Sequence, residues 1–552
     1  MSAEADPIPV FIVGVPRSGT TLVRLMLDAH PSIACGPEAP WLCAHHDRTI
    51  QRLFEYLTDD PLGYCRSFNM DRDAALAATR AYVCSLFDRY ARRRGKRRWA
   101  EKTPGSAPHL RFLRELFPGA MFVHITRDGM DVAASTAILD PNRADVSKQH
   151  ARTLDLAADL IADNTPFAAA VRWRHWTRLI QRSLAGARTL TVDYERLVRE
   201  PEVTCKVICD FIGEPFDPAM LEYREHPHDL PDWEWGSADF HAHERITTER
   251  VGVGKAAIGP LEAELIRPVV CPPSGRPEPA AALASLDELR SDRFRLFMDR
   301  TNALARGLSL AQMHDWSKVW EYPWLWFNAL SRIDLAHARV IDIGSARSVM
   351  PWLMAMLGAD VTMVETDPSH EPLWSRLRTR LNLDIDWRFV DDESIPLEDA
   401  CADLVTSFSV IEHQADRARA IDEIARVLRP GGVLAMSFDV CDSSHGVPMT
   451  FPASNGRAMT LAEFERDVWL HEAFGGEEGI RDQASGIGEG KGNGHQASGI
   501  GEGADRGNVG ITWNIADMAP FHAWHKATAP HHDYVVAAAV LTRAGQRSEP
   551  SR

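Results

Sequence analysis

Residues 10–22 read VFIVGVPRSGTTL, and this stretch decides the fold expected for the first half of the chain. Its apolar start, residues 10–13, predicts a short buried strand, and an amphipathic helix is predicted from Thr20 onward. Gly14 and Gly19 enclose a four-residue gap between these elements, which is the glycine spacing of phosphate-cradling loops. Backbone N–H groups at such a helix N-terminus face a bound anion, and the helix dipole favours negative charge there.

The loop differs from that of nucleoside-triphosphate hydrolases in the position of its positive charge. Thr20 stands where those enzymes carry the lysine that reaches the β- and γ-phosphates. Arg17 supplies the charge from inside the loop, and its planar guanidinium suits one tetrahedral oxyanion. The sequence therefore predicts a phosphate-binding loop that is poorly equipped for triphosphate hydrolysis, which argues against a nucleotide kinase.

Two motifs together resemble those of sulfotransferases that use 3′-phosphoadenosine 5′-phosphosulfate (PAPS). PRSGTT resembles the 5′-phosphosulfate loop of that family, and FVHITRDGMDVAAS at residues 122–135 resembles its 3′-phosphate element. The resemblance implies an α/β domain with a P-loop-like parallel sheet, and PAPS as the cofactor. The cofactor-binding residues that it implies are Arg17, Ser18, Gly19, Thr20 and Thr21 in the loop, Arg127 and Ser135 in the second motif, Tyr194 in TLTVDYERLV, and Lys255 in the late segment RVGVGKAAIG.

Two catalytic residues are implied by the same resemblance. Glu38, in LDAHPSIACGPE, falls where tyrosylprotein sulfotransferases carry their catalytic glutamate, and it would accept the proton of the acceptor hydroxyl. Lys102, in WAEKTP, would neutralise the leaving oxygen of the phosphosulfate. A histidine base, His109 or His30, is the alternative to Glu38. The family has an arginine two residues after its glutamate where this chain has Pro40, which weighs against an acidic peptide as acceptor.

Length and composition set the remaining limits. A chain of 552 residues exceeds what one hydrophobic core normally supports, so two domains are expected. The formal net charge of −16 argues against a nucleic-acid partner, because phosphate backbones require a basic face. Nine cysteines form no C-x-x-C pair, and no metal site is predicted. Neither an N-terminal apolar run nor a membrane-length segment is present, so we expect a cytoplasmic protein without a membrane partner.

The predicted domain organisation follows from the prolines. The first domain is expected over residues 1–266 and a linker with a helical connector over residues 267–315, because five prolines interrupt residues 267–282. A second domain is expected over residues 316–545. Within it, residues 475–510 carry the repeat QASGIGEG twice and predict a glycine-rich insertion, since such a composition lacks the side chains for a core.

Strand and helix patterns alternate through the second domain, which predicts a doubly wound parallel sheet. ARVIDIG at residues 338–344 begins it, and DLVTSFSVIEH with EIARVLRPGG follows further on. This order resembles class I methyltransferases that use S-adenosylmethionine (SAM), whose fold is Rossmann-like. By that resemblance Gly344 allows close approach of the methionine end, Glu365 binds the ribose, and Asp391 binds the adenine amino group.

The first loop of this domain departs from the family pattern D-x-G-x-G-x-G. Ala346 and Ser348 replace two of the glycines, and Arg347 adds a bulky cation. A G-x-G-x-x-G fingerprint is absent at this point, which argues against a dinucleotide oxidoreductase. The sequence predicts a bifunctional transferase that moves a sulfuryl group from PAPS and a methyl group from SAM to a small-molecule, glycan or phenolic acceptor. The alternative is a sulfotransferase joined to a methyltransferase-fold binding module without turnover.

Overall fold

The structure is a computed structural model. It describes residues 8–43, 49–59, 64–137, 165–229, 245–314, 317–391, 393–441, 458–474, 513–528 and 534–544. The chain divides into two compact units, Met1–Val270 with Thr379–Asn382, and Cys271–Arg378 with Leu383–Arg552. The glycine-rich insertion expected at residues 475–510 lies outside the described residues. Over the described ranges, no helix combines the length and the apolar character needed to cross a membrane.

The first unit contains a parallel sheet whose five strands have the order β2-β3-β1-β4-β5 within the described part of the chain. Its strands are β1 (Val10–Gly14), β2 (Ile33–Cys35), β3 (Arg98–Lys102), β4 (Met121–Thr126) and β5 (Arg188–Asp193). Its described helices are α1 (Thr20–Ala29), α2 (Ile50–Asp59), α3 (Tyr64–Ser67), α4 (Arg72–Arg93), α5 (Leu110–Leu116), α6 (Gly129–Ala137), α7 (Pro166–Leu184), α8 (Tyr194–Arg199), α9 (Pro201–Ile212), α10 (Val253–Ala257) and α11 (Pro260–Val270).

Both faces of this sheet are covered, as its central strand shows. Val10 and Ile12 of β1 belong to one apolar core, which contains residues of α1 and α9. Phe11 and Val13 point the other way, into a core that contains residues of α4, α5 and α7. A parallel sheet covered on two faces explains why β1 is a continuous apolar run. The loops after its parallel strands lie at one edge of the sheet, where α/β proteins bind their ligands.

The second unit contains a sheet of seven described strands in the order β6-β12-β11-β10-β7-β8-β9. The strands from β11 to β9 are parallel, whereas β12 runs antiparallel to both β11 and β6. The strands are β6 (Ala280–Leu283), β7 (Arg339–Ile343), β8 (Asp360–Glu365), β9 (Ile385–Phe389), β10 (Ala402–Phe408), β11 (Leu428–Val440) and β12 (Val535–Thr542). The described helices are α12 (Leu286–Arg290), α13 (Asp292–Gly307), α14 (Lys318–Asn328), α15 (Met350–Leu357), α16 (Glu371–Leu381), α17 (Arg417–Val427), α18 (Leu461–Phe464) and α19 (Met518–Thr528).

The interdomain connector is shorter than residues 267–315, the range expected from the sequence. Strand β6 pairs with β12, so residues within the expected linker form the edge of the second sheet. Helix α13 also belongs to this unit, because Phe297 packs on Trp326 of α14 with ring centroids 5.5 Å apart. Prolines favour a linker, but the last of them is Pro279, and the four residues after it all keep a backbone N–H that can pair.

Candidate functional sites

The loop between β1 and α1 has the backbone that the sequence motif predicts. Arg17 and Gly19 both have positive φ, 74° and 95°. A Cβ on Gly19 would lie 2.4 Å from Cδ2 of Tyr194, so a side chain at this position would collide with the ring. The Ser18 N–H donates to the Val15 carbonyl at 3.1 Å and closes the turn before the helix begins.

The second motif contacts this loop directly. Arg127, which follows β4, donates through Nη1 to the carbonyl of Arg17 and through Nη2 to the carbonyl of Arg250, both at 2.9 Å. Its guanidinium carbon lies 4.4 Å from the ring centroid of Tyr194. Arg17 in turn donates through Nε to Oγ of Ser135 at 3.1 Å. Arg17, Ser135, Arg127 and Tyr194 are therefore linked by direct contacts at the carboxyl edge of the sheet.

The two implied catalytic residues form an ion pair. Lys102 at the end of β3 is buried, and its Nζ contacts a carboxylate oxygen of Glu38 and lies 3.4 Å from Oγ1 of Thr21. Oγ1 of Thr103 accepts the Ala39 N–H at 2.7 Å, and this bond fixes the segment that carries the glutamate. The structure thus brings Glu38 and Lys102 together beside the first turn of α1.

A buried carboxyl lies beside this ion pair. The pKa of Glu101 is raised to about 7, mainly because burial removes water from the charged form, and the nearby charge of Glu38 contributes to the rise. Its Oε1 accepts a hydrogen bond from the Thr103 hydroxyl. Glu101 and Thr103 flank Lys102 in WAEKTP but are not among the predicted site residues, because their roles arise from burial.

The rival histidines differ in what they contact. Nε2 of His30 lies 2.9 Å from the Pro215 carbonyl, and Nδ1 accepts the Ser32 N–H at 3.1 Å. A carbonyl can only accept, so Nε2 must carry the proton, and both ring nitrogens are engaged by the backbone. This bonding favours a structural role for His30. His109 ends a short 3₁₀ helix, Pro104–His109, and remains the alternative base.

The late glycine-basic segment is attached to α6. Asp131 accepts the N–H groups of Gly252 and Gly254, each at 2.7 Å, and a Cβ on Gly254 would lie 2.4 Å from the Met130 carbonyl oxygen. Lys255 lies in α10, and its side chain is outside the described structure. Asp131 was not identified from the sequence, although it belongs to the second motif, four residues after Arg127.

In the second unit, the loop after β7 keeps the glycine-type conformation although its composition departs from the family pattern. Gly344 has φ +71°, and a Cβ there would lie 2.4 Å from Cγ2 of Val410. Ala346 has φ +41°, a conformation that an alanine adopts only with strain. Its N–H donates to Oε2 of Glu365 at 2.7 Å. The cation of Arg347 is exposed and donates to the Ser309 carbonyl at 3.0 Å.

Carboxylates stand where the resemblance implies that SAM binds. Glu365 ends β8 and accepts the N–H of Thr366 at Oε1, 2.8 Å away, in addition to that of Ala346. Asp391 is exposed and follows β9 by two residues, and the Val390 N–H beside it bonds the Glu365 carbonyl at 3.0 Å. Asp342, near the end of β7, is buried with its pKa raised to about 6 by desolvation, and it accepts from the Ser345 hydroxyl.

The residues present fit both cofactors. Nε of Arg127 is buried and has no hydrogen-bond partner among the described residues, so it retains a donor for a phosphate oxygen. The loop that ends at Gly19 leads into α1 at its N-terminus, where an anion is stabilised. In the second unit, the turn at Gly344 has no room for a side chain, and Oε2 of Glu365, which accepts the Ala346 N–H, keeps a second lone pair for a ribose hydroxyl.

Comparisons with known proteins find matches to two families, each over a different part of the chain. Residues 9–218 match the model of the sulfotransferase family, and residues 341–436 match that of a methyltransferase domain. The chain is 29% identical over 232 residues to protein-tyrosine sulfotransferase 1 of Danio rerio, covering 39% of this chain and 56% of that protein. It is 33% identical over 108 residues to a ubiquinone biosynthesis O-methyltransferase of Xanthomonas oryzae pv. oryzae, covering 19% and 45%. The chain thus spans about half the length of the curated relatives it matches.

Solved structures are similar to part of the chain. The sulfotransferase domain of the Synechococcus PCC 7002 olefin synthase is 27% identical, with 47% of this chain and 91% of that one covered and a TM-score of 0.31. The [4+2]-cyclase SpnF is 17% identical, with 49% and 99% covered and a TM-score of 0.29. The sulfotransferase family uses PAPS and the methyltransferase family uses SAM, as the sequence analysis expected. Residues 9–218 are thus similar to the sulfotransferase family, and residues 341–436 are similar to a methyltransferase domain.

Proposed function

We propose that this chain is a bifunctional transferase that sulfates an acceptor hydroxyl and methylates an acceptor. When bound, PAPS supplies the sulfuryl group and SAM supplies the methyl group. The observation that carries the first activity is the meeting of Arg17, Arg127 and Ser135 at the loop beside the Lys102–Glu38 pair. The second activity rests on Gly344, Glu365 and Asp391 at the carboxyl ends of adjacent parallel strands.

In the sulfotransferase domain, the side chains divide into binding and proton-transfer roles. Arg17, Arg127 and Ser135 would hold phosphate oxygens, with the N-terminus of α1 adding its dipole. Glu38 would accept the proton of the attacking hydroxyl, and the ion pair with Lys102 holds its carboxylate beside the loop. The buried Lys102 ammonium would stabilise negative charge that develops on the leaving oxygen, and burial strengthens that interaction.

The acceptor is proposed by chemical class. The protein-tyrosine sulfotransferase relatives modify a phenolic hydroxyl, as their names state, and we propose a small-molecule, glycan or phenolic acceptor for this chain. Pro40, in place of the family's arginine, weighs against an acidic peptide. A methyltransferase-fold module that binds SAM without turnover is the second candidate, and the strained Ala346 is the observation that favours it.

Reciprocal variants of the full chain test the proposal. The chain is incubated with ³⁵S-labelled PAPS, methyl-labelled SAM and a metabolite extract, and labelled products are separated by chromatography. Arg17→Ala should abolish sulfur transfer and leave methyl transfer intact, and Glu365→Ala should do the reverse. Sulfur transfer without methyl transfer, together with SAM binding, would select the second candidate. Absence of both labels from every product would contradict the proposed activities.

A further inference from the structure

Three potential metal ligands lie at the carboxyl edge of the second sheet, where the sequence alone predicts no metal site. Glu412 and His413 belong to the short 3₁₀ helix Ile411–His413, which follows β10. Asp439 is the last residue but one of β11, the parallel neighbour of β10. The 3₁₀ helix begins directly after Val410, whose side chain lies against Gly344. The three residues therefore lie at the edge of the sheet that carries the proposed SAM loop.

The geometry of these side chains suits one ion. One ligand atom from each of the three residues lies within 4.8 Å of the other two. Glu412 is fully buried and Asp439 is 2% exposed, whereas the His413 side chain reaches solvent. Within the described residues, no hydroxyl, amide or cation donates to either oxygen of Glu412 or to Oδ1 of Asp439; the two carboxyls face each other instead. Buried oxygens of this kind are normally satisfied by a donor or an ion.

The charges around Glu412 and Asp439 also favour a bound cation. Lys318 is buried nearby, and it donates to Oε2 of Glu321 at 2.8 Å and to the Phe408 carbonyl at 3.0 Å. Oε2 of Glu321 also accepts from Ser409 at 2.8 Å, so Lys318 and Ser409 are both engaged by this oxygen. Two ionised carboxylates in contact within a buried site repel strongly, and a divalent cation between them reverses that interaction.

We propose that Glu412, His413 and Asp439 bind one divalent first-row metal ion, with Mn²⁺ as the probe. Two carboxylate oxygens and one imidazole nitrogen form a donor set that suits Mn²⁺, Fe²⁺ or Zn²⁺ better than Ca²⁺ or Mg²⁺. Three protein ligands leave positions open for water or for an oxygen of the acceptor. Only that last role rests on the proposed methyl transfer; binding of the metal does not.

Metal binding by the full chain tests the site. The protein is stripped with a chelator and titrated with Mn²⁺, and free Mn²⁺ is followed by electron paramagnetic resonance. One Mn²⁺ should bind per chain, and Glu412→Gln or Asp439→Asn should weaken it about 100-fold or more, since loss of even an outer-sphere partner costs 10–100-fold. The exposed His413→Gln should also weaken binding. Asp422→Asn is the matched control, because Asp422 is an exposed carboxylate 3.0 Å from His471.

Two results of these titrations would overturn the metal site. No bound Mn²⁺ at millimolar concentration, and no bound Zn²⁺ in a parallel dialysis, would overturn the site, as would Mn²⁺ affinity unchanged by Glu412→Gln and Asp439→Asn. Far-UV circular dichroism and the Tm establish that each variant is folded, and His413→Gln supplies a surface variant should the buried ones fail. Calorimetry with S-adenosylhomocysteine is run separately. Binding of Mn²⁺ without binding of S-adenosylhomocysteine would support the metal site and count against methyl transfer. Binding of S-adenosylhomocysteine without binding of Mn²⁺ would count against the metal site alone.

Discussion

Arg127 donates through Nη1 to the main-chain carbonyl of Arg17 at 2.9 Å, which joins two motifs that lie 110 residues apart in the chain. The bond uses one end of the guanidinium. It leaves Nε buried without a partner in the described structure, while the plane of the group rests against Tyr194. The arginine is therefore held in place before any phosphate arrives, and such preorganisation lowers the entropic cost of binding.

The first prediction concerns the choice of nucleotide. Arg127→Ala should weaken binding of 3′-phosphoadenosine 5′-phosphate by about 2–3 kcal/mol, the range for a hydrogen bond to a charged group, and should change adenosine 5′-phosphate binding much less. Calorimetry on the full chain measures both affinities. Arg196→Ala is the control, because Arg196 pairs with Glu200 on the surface at 3.3 Å. Equal affinity of the unmodified chain for the two nucleotides would contradict the assignment of Arg127 to the 3′-phosphate.

The second prediction concerns the base. Glu38→Gln keeps the size of the side chain and removes the proton acceptor, so transfer should slow by roughly 10²–10⁴-fold while 3′-phosphoadenosine 5′-phosphate still binds. Initial rates of ³⁵S transfer and calorimetry give the two readouts. His109→Ala and His30→Asn are compared in the same assay. Near-normal turnover in Glu38→Gln, combined with loss in His109→Ala, would move the base to the histidine.

A pH-dependent stability is expected from Glu101. Its pKa is raised to about 7 in the folded chain against 4.5 ordinarily, so between these values the folded chain keeps a proton that the unfolded chain has lost. The contribution of the group to stability is therefore complete below pH 4.5 and falls as the pH rises to 7.

The measurement is the free energy of unfolding of the unmodified chain minus that of Glu101→Gln, from denaturant titrations across this pH range. The difference should fall by roughly 3 kcal/mol between the two limits, since one pKa unit is worth 1.36 kcal/mol. Glu115→Gln, in an exposed ion pair with Arg72, controls for the loss of one negative charge. A flat difference would show that Glu101 is ionised throughout.

The fourth prediction concerns the altered glycine loop. Ala346 has φ +41° and Ala400 has φ +51°, and the left-handed conformation costs an alanine about 1–2 kcal/mol, part of which the flexibility of an unfolded glycine offsets. Ala346→Gly and Ala400→Gly should therefore each raise the unfolding free energy by up to about 1 kcal/mol. Only Ala346→Gly should alter SAM affinity, because its N–H bonds Glu365. A SAM affinity that moves equally in both variants would place the cofactor elsewhere.

Local patterns in the sequence were sufficient for the strand–loop–helix at residues 10–29, because the turn, the strand and the helix start are all encoded by neighbours. Local patterns were not sufficient to predict the tertiary contacts. The bond from Arg17 to Ser135 joins side chains that no spacing rule connects. The Glu412–Asp439 pair depends on the register of two parallel strands, which the sequence alone does not give.

At the domain boundary, local composition predicts a linker where the structure has part of a helix. Five prolines in residues 267–282 favour a linker, and the first of them, Pro268, instead lies within α11. The burial of Val269 and Val270, at 1% and 8% exposed, comes from their packing in the first unit. Composition reports the local preference of a segment, whereas packing against an existing sheet or helix can outweigh that preference.

The last prediction follows from this boundary and concerns truncated chains. A first domain that ends at Ile266 loses Val269 and Val270. Val270 packs closely on Gly129, because a Cβ built on that glycine would lie only 2.7 Å from Cγ1 of Val270. Each buried valine contributes about 1.5–3 kcal/mol, so the chain that ends at Val270 should have the higher Tm. A methyltransferase domain that starts at Ser285 lacks β6 and exposes β12 as a long apolar edge, which favours aggregation.

The domain that starts at Cys271 should remain monodisperse. Size-exclusion chromatography and thermal unfolding of the four truncated chains check these expectations, with nucleotide binding as the test of native structure. The chains that end at Ile266 and Val270 differ by the four residues of the last turn of α11, and those that start at Cys271 and Ser285 differ by fourteen residues that include β6. Equal Tm values for the chains that end at Ile266 and Val270, and equal solubility for those that start at Cys271 and Ser285, would show that residues 267–284 act as the linker their prolines suggest.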